Sequence, residues 1–362
     1  MHRMLSRTLS AFLIFGLITL PANAAPVTTP LGVVVVAQQA KVGESAAVNG
    51  ATVFQGDRLM TAETGQLQVR FGRTQARLLP GSLAVISETA SGVNANLLSG
   101  WGLFTTLRVY HGEPFAFERH WRRLEKDAGR TRLPFPFDPA QVRASLVELI
   151  GRNEVREGTA RIYMIYNKVG FWQSDEPFPD ADLVLYTAGL PAYHEPARLA
   201  LRAEGRHAAS PLAGVKVTSW LNNVWNLAEA QQRGFDEVVL LNERGEVAEC
   251  TAANLFCVRE GRVETPALSS GCLEGITRQI LLEISPKAGV PCIEKTLRPE
   301  DLRTADEVFI SSTNRSLLGV GEIEGHKFPG APGPITQKLE KAFADFVASY
   351  IAQHAPSAPS RD

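Results

Sequence analysis

The 362-residue chain is 44% hydrophobic and 21% charged, the composition of a folded globular protein with length for two or three domains. Its 37 Lys plus Arg balance 38 Asp plus Glu, so net charge offers no argument for nucleic acid or an anionic membrane surface as partner. The four cysteines, Cys250, Cys257, Cys272 and Cys292, include no Cys-x-x-Cys pair and no metal-ligand spacing, and read as ordinary buried thiols.

Residues 1–24 carry the three parts of a secretory signal: basic Arg3 and Arg7, an apolar run from Ala11 to Leu20, and Ala22-Asn23-Ala24 as a cleavage site. The run is too short to span a bilayer well. Cleavage after Ala24 predicts an exported, periplasmic protein whose membrane contact is limited to the leader; a segment joined by artefact would instead leave the protein cytoplasmic. From residue 31 to 88 the period is two, with Leu67, Val69 and Phe71 alternating against Gln66, Gln68 and Arg70. Turns at Asn49-Gly50, Gln55-Gly56-Asp57 and Pro80-Gly81 complete the pattern of a small antiparallel β module. Residues 89–95 are small and polar and read as a linker.

The pattern then changes. Leu103 to Tyr110 reads as a strand with a turn at His111-Gly112-Glu113, Phe115 to Phe117 as a short strand, and His120 to Ala128 as helix. Asp138-Pro139 signals a helix start whose apolar face is Val142, Leu146, Leu149 and Ile150. Strands at Arg161 to Tyr166 and Ala181 to Thr187 complete a small α/β unit over residues 96–192. The second unit, residues 193–352, opens with a strand at Arg198 to Ala203 and a helix from Asn222 to Arg233 ended by Gly234. Hairpins turn at Glu243-Arg244-Gly245 and Arg259-Glu260-Gly261. A helix from Ile276 to Ile284, a strand from Glu307 to Ser311 and a last helix from Pro334 follow, the last with Leu339, Phe343, Phe346, Val347 and Tyr350 on one face. Residues 353–362 read as a disordered tail.

Three features between Gly214 and Arg278 carry chemistry. Lys216 follows Ala213-Gly214 before a helix; a lysine that reacts with a carbonyl must lose its proton, which burial and a nearby cation favour. Glu249 lies on a hairpin strand, where a carboxylate can hold a protonated ring nitrogen. Gly275-Ile276-Thr277 at a helix start offers free backbone N–H groups and a hydroxyl to a phosphate. Each alone is weak, since most lysines and glutamates are solvated and most helix starts look alike.

Their order and spacing, with Thr265-Pro266, Asp306-Glu307-Val308-Phe309 and Ser311-Ser312-Thr313, resemble the class IV aminotransferase family of pyridoxal 5'-phosphate (PLP) enzymes, from about Leu97 to Gly325. The resemblance implies an α/β (α+β), two-domain PLP fold type IV enzyme, a homodimer, acting on an amino acid and a 2-oxo acid. It places the Schiff-base lysine at Lys216, the acid facing the pyridine nitrogen at Glu249, and the phosphate contacts at Arg123, Ile276, Thr277, Ser312 and Thr313. Phe104, Thr106 and Lys168 would face the substrate. Two branches stay open, a transaminase and a 4-amino-4-deoxychorismate lyase releasing pyruvate and 4-aminobenzoate. Phe104-Thr105-Thr106 leans to the lyase, and Leu221 stands where branched-chain aminotransferases carry a tyrosine. Family members have about thirty residues of their own before Leu103; here Val53 to Thr61, Leu67 to Phe71 and Leu79 to Ser82 resemble a FecR-like β domain instead. A reading from another class is an exported binding or scaffold protein with a degenerate enzyme domain.

Overall fold

Alternating Val34, Val53, Leu59, Leu67 and Val69 are buried on one face of an N-terminal sheet, the period-two pattern expected of a half-buried antiparallel sheet. Its long strands β1 (Pro30–Val42) and β4 (Arg58–Phe71) pair antiparallel, joined by β2 (Ser45–Ala46), β3 (Thr52–Phe54), β5 (Thr74–Leu78) and β6 (Leu83–Val85). The computed structural model describes residues 30–54, 57–71, 74–78, 83–85, 100–166 and 181–354. The expected leader, linker, Lys168 and residues 355–362 lie outside them.

The next sheet is β10-β9-β7-β8, built from β7 (Gly102–Tyr110), β8 (Glu113–Pro114), β9 (Glu157–Tyr166) and β10 (Ala181–Ala188), all pairs antiparallel. Helices α1 (Phe117–Thr131) and α2 (Pro139–Arg152) supply its cover: Trp121, Leu124, Val142, Leu146 and Ile150 share one core with Leu103, Leu107 and Ile162 of the strands. As the sequence predicts, Asp138 caps α2, its carboxylate accepting from Gln141 N at 3.0 Å. The short strand expected at Phe115 to Phe117 is corrected. Pairing stops at Pro114, Ala116 adopts φ 55, and Phe117 opens α1. The chain turns there because Phe115 belongs to the core under the C-terminal helix and Phe117 to the core of the small unit.

The third sheet holds nine strands in the order β13-β12-β11-β18-β17-β14-β15-β16, with β19 paired to β18. They are β11 (Ala197–Arg202), β12 (Glu237–Leu241), β13 (Val247–Cys250), β14 (Asn254–Arg259), β15 (Arg262–Pro266), β16 (Cys292–Lys295), β17 (Glu307–Ser312), β18 (Ser316–Ile323) and β19 (His326–Lys327). Strands such as β12 and β13 are buried along their whole length, so their apolar residues do not alternate with exposed ones, and the buried carboxylates Glu237 and Glu249 sit among them. Helices α3 (Leu221–Gln232), α4 (Ile276–Ile284), α5 (Pro299–Arg303) and α6 (Pro334–His354) complete the unit. The start of α6 is held by Glu307 of β17, whose carboxylate accepts from Ile335 N, Thr336 N and Thr336 Oγ1 at 2.7–2.8 Å. Helix α6 runs through Gln353 to His354, two residues that the sequence assigned to the tail.

A strand-like contact joins the two α/β units. The outer edge of β7 is closed by the segment around Lys216: Leu103 bridges Val217 antiparallel, and Thr218 N donates to Gly102 O at 2.9 Å.

Candidate active site

Between these two units lies a cavity of about 990 Å³, lined by Phe104, Thr106, Arg123, Lys216, Glu249, Ile276, Thr277, Ser312 and Thr313. All the expected site residues except Lys168 therefore meet in one place. They come from β7, α1, the Lys216 segment, β13, α4 and the end of β17.

Lys216 reaches this position through Gly214, which has φ 71 and would bring an added Cβ to 2.9 Å from the Cys272 carbonyl oxygen. Only glycine takes that conformation and that approach without strain. The residue keeps part of its surface open to the cavity, but its amine lies below the protein surface, 4.4 Å from the centre of the Phe104 ring and 5.3 Å from that of Trp220. Burial, reinforced by the Arg123 charge and opposed by Glu249, brings the Lys216 pKa down to about 7. A substantial share of the amine is therefore unprotonated at neutral pH, the state a nucleophile or base requires.

Glu249 is buried, and both its oxygens are engaged: Oε1 accepts from Arg206 Nε at 2.8 Å and Oε2 from Leu273 N at 3.0 Å. Arg206 also donates to Asn223 Oδ1 at 2.9 Å. The carboxylate is thus fixed directly by Arg206 and Leu273, and through Arg206 by Asn223, and all three line the cavity. Nothing in the sequence marked Arg206, since it precedes Lys216 in a polar loop with no motif of its own.

An anion cradle occupies another part of the lining. Helix α4 begins at Ile276 with its first N–H groups unpaired by the helix, and Thr277 beside them is buried. Arg123 of α1 is 7% exposed, donates to Glu274 O at 3.2 Å and to Thr105 Oγ1 at 2.9 Å, and is held below its ordinary pKa by burial. Ser312 and Thr313 end β17 in the same lining. Ser311 Oγ is buried without a hydrogen-bond partner among the described residues, and its residue faces the cavity too.

Two groups escaped sequence reasoning. Arg161 of β9 donates to Tyr186 OH at 2.8 Å and Tyr163 OH at 3.4 Å, and the Tyr163 ring stacks on Phe104 at 5.1 Å. The period-two positions Arg161 and Tyr163 were the available signal, as they share a sheet face with Thr106 and Phe104 through the register Thr106↔Arg161 and Phe104↔Tyr163. His120, which the sequence marks only as the start of a helix, is buried with Nδ1 2.6 Å from Thr105 Oγ1. Leu221, by contrast, is 77% exposed and absent from the lining, where Trp220 takes part instead. No cluster of three or more His, Cys, Asp or Glu side chains is placed to hold a metal ion among the described residues.

Comparison with known proteins agrees with this architecture. A D-alanine aminotransferase from Listeria monocytogenes is 30% identical over 263 residues, which is 68% of this chain and 86% of that protein. The branched-chain aminotransferase of Thermoproteus uzoniensis, solved with norvaline, superposes with a TM-score of 0.67 at 29% identity, covering 76% of this chain and 95% of that one. A putative branched-chain-amino-acid aminotransferase from Methanocaldococcus jannaschii is 29% identical over 255 residues, 69% of this chain and 88% of that protein. The family model described as amino-transferase class IV matches residues 102–323. With that match over most of the chain and a cavity to which both α/β units contribute, this chain belongs to the class IV aminotransferases and is an enzyme.

Proposed function

We propose that the chain is a PLP-dependent transaminase that removes the α-amino group of an amino acid to leave a 2-oxo acid. The observation that carries this reading is the Lys216 amine, its pKa brought down to about 7, sharing a cavity with a fixed carboxylate and an anion cradle. The residues present fit the cofactor. Its phosphate suits the Arg123 guanidinium, the N–H groups of Ile276 and Thr277, and the hydroxyls of Thr277, Ser312 and Thr313, with Ser311 Oγ as a further donor. Glu249 suits a protonated ring nitrogen, and Lys216 the aldehyde carbon.

When bound, PLP supplies an electron-accepting ring that stabilises negative charge at the substrate Cα. Lys216 Nζ takes the proton from that Cα, since its pKa near neutrality lets it both accept and return one. Glu249 would hold a positive charge on the ring nitrogen, its carboxylate kept from turning away by Arg206 and Leu273 N. The Phe104 and Trp220 rings flank the amine, and Tyr163 stacks behind Phe104. Arg161 presents a guanidinium to the same space, suited to a carboxylate.

Thr106 in the lining sustains the second reading, the lyase branch suggested by Phe104-Thr105-Thr106. Incubating the purified protein with PLP and either an amino acid with a 2-oxo acid or aminodeoxychorismate decides between them. Release of an amino acid product supports the first, release of pyruvate with 4-aminobenzoate the second. Failure of both contradicts the two branches alike. We further propose export with cleavage after Ala24, which N-terminal sequencing of periplasmic protein tests.

A further inference from the structure

Thr105 is fully buried, and its hydroxyl stands between two side chains: Arg123 Nη2 at 2.9 Å and His120 Nδ1 at 2.6 Å. A guanidinium only donates, so Thr105 Oγ1 accepts from Arg123. The hydroxyl hydrogen then needs an acceptor. If His120 Nδ1 carried a proton it would also donate to Oγ1, and the hydrogen of Thr105 would be left unpaired inside the protein, which is costly. The arrangement that satisfies every group has a bare Nδ1 receiving the Thr105 hydrogen, with the ring proton on Nε2.

We propose that His120 is a positioning residue for anion binding: as the Nε2–H tautomer it orients the Thr105 hydroxyl, which holds the Arg123 fork toward the helix start at Ile276. The inference rests on the cofactor reading above and deepens it. The other hydrogen bond of Arg123 among the described residues runs to the Glu274 carbonyl at 3.2 Å, a single contact about which the guanidinium could swing. Two contacts on its two terminal nitrogens fix its plane, which matters because a phosphate is read by parallel N–H donors. Burial and the adjacent Arg123 and Lys216 charges hold the His120 pKa well below its ordinary value, the direction that favours the neutral ring this hydrogen-bond pattern needs.

The test uses the full chain and compares binding of PLP with that of pyridoxal, which lacks the phosphate, by absorption titration. His120→Ala and Thr105→Val should each weaken PLP binding about tenfold or more while leaving pyridoxal within about twofold. The double variant should be no weaker than either single one, because both break the same chain of hydrogen bonds. His120→Asn, whose side-chain oxygen falls near the Nδ1 position, should restore most of the PLP affinity. Equal losses for PLP and pyridoxal, or additive losses in the double variant, overturn the proposal. A wild-type protein that binds neither compound overturns the cofactor reading instead. The tautomer is read independently of any variant's folding from the wild type with 15N-labelled histidine. A bare Nδ1 on the buried ring supports the proposal, and an Nδ1–H signal refutes it.

Discussion

Phe104 and Lys216 are joined twice: Phe104 N donates to the Lys216 carbonyl at 3.0 Å, and the centre of the Phe104 ring lies 4.4 Å from Lys216 Nζ. One residue of the small unit therefore holds the backbone of a residue in the large one and lies against its amine. Strand pairing positions the backbone from which the reacting side chain extends.

Its buried amine predicts a pH dependence with a definite sign. In cofactor-free protein, modification of Lys216 by an amine-directed reagent should rise with pH through a midpoint of about 7, where the free amine appears. Unfolding restores an ordinary lysine, so between about 7 and 10.5 the unfolded chain holds a proton that the folded chain has released. Stability of the wild type relative to Lys216→Met should accordingly increase across that window and be lowest below it. Denaturant titrations at several pH values read the trend; a difference that stays flat contradicts the burial of this amine.

Glu249 and Arg206 form an ion pair whose side chains are 9% and 18% exposed. Removing one partner leaves the other charge largely enclosed, so Glu249→Ala should cost about 3 kcal/mol. Glu249→Ala with Arg206→Ala should recover part of that loss, as coupled partners do. Equilibrium unfolding of the two single variants and the double variant gives the coupling directly.

Gly275 tests the anion cradle. A Cβ there would lie 2.0 Å from Asn254 Oδ1, and Asn254 is itself tied to the Leu273 carbonyl through Nδ2 at 2.8 Å. Gly275→Ala must displace that buried asparagine or shift the first turn of α4, at about 1–3 kcal/mol. Weaker binding of PLP with little change for pyridoxal, by titration, is the expected outcome.

Leu221, Val224 and Trp225 are exposed at 77%, 51% and 66% on one side of α3, the spacing of a helical face. The same helix lines the cavity through Asn222 and Asn223. If this face makes the homodimer contact expected from the family, Trp225→Glu should give monomers in sedimentation velocity while far-ultraviolet dichroism stays native. An unchanged sedimentation coefficient places the contact elsewhere.

What the sequence made legible follows from what is local. The Asp138-Pro139 helix start, the Gly275 boundary of α4 and the spacing of Leu339, Phe343 and Val347 depend on neighbours within a turn or two, and each is found as expected. The candidate site residues that share the cavity could be named because their motifs are short and ordered. Arg206, Thr105 with His120, and Arg161 with Tyr186 could not. Each acquires its role from a partner 15 to 43 residues away that only folding brings near. The Phe115 to Phe117 segment misled for a related reason, since alternating apolar residues there serve two separate cores rather than two faces of one strand.

If Lys216 is the group that reacts with PLP, borohydride should fix the cofactor to it. The most direct measurement is borohydride reduction of the purified protein after addition of PLP, followed by peptide mass analysis of wild type and Lys216→Ala. The expected result is one phosphopyridoxyl group on the peptide holding Lys216 and none on any peptide of the variant. A label on another lysine, or a variant labelled as fully as the wild type, would contradict it.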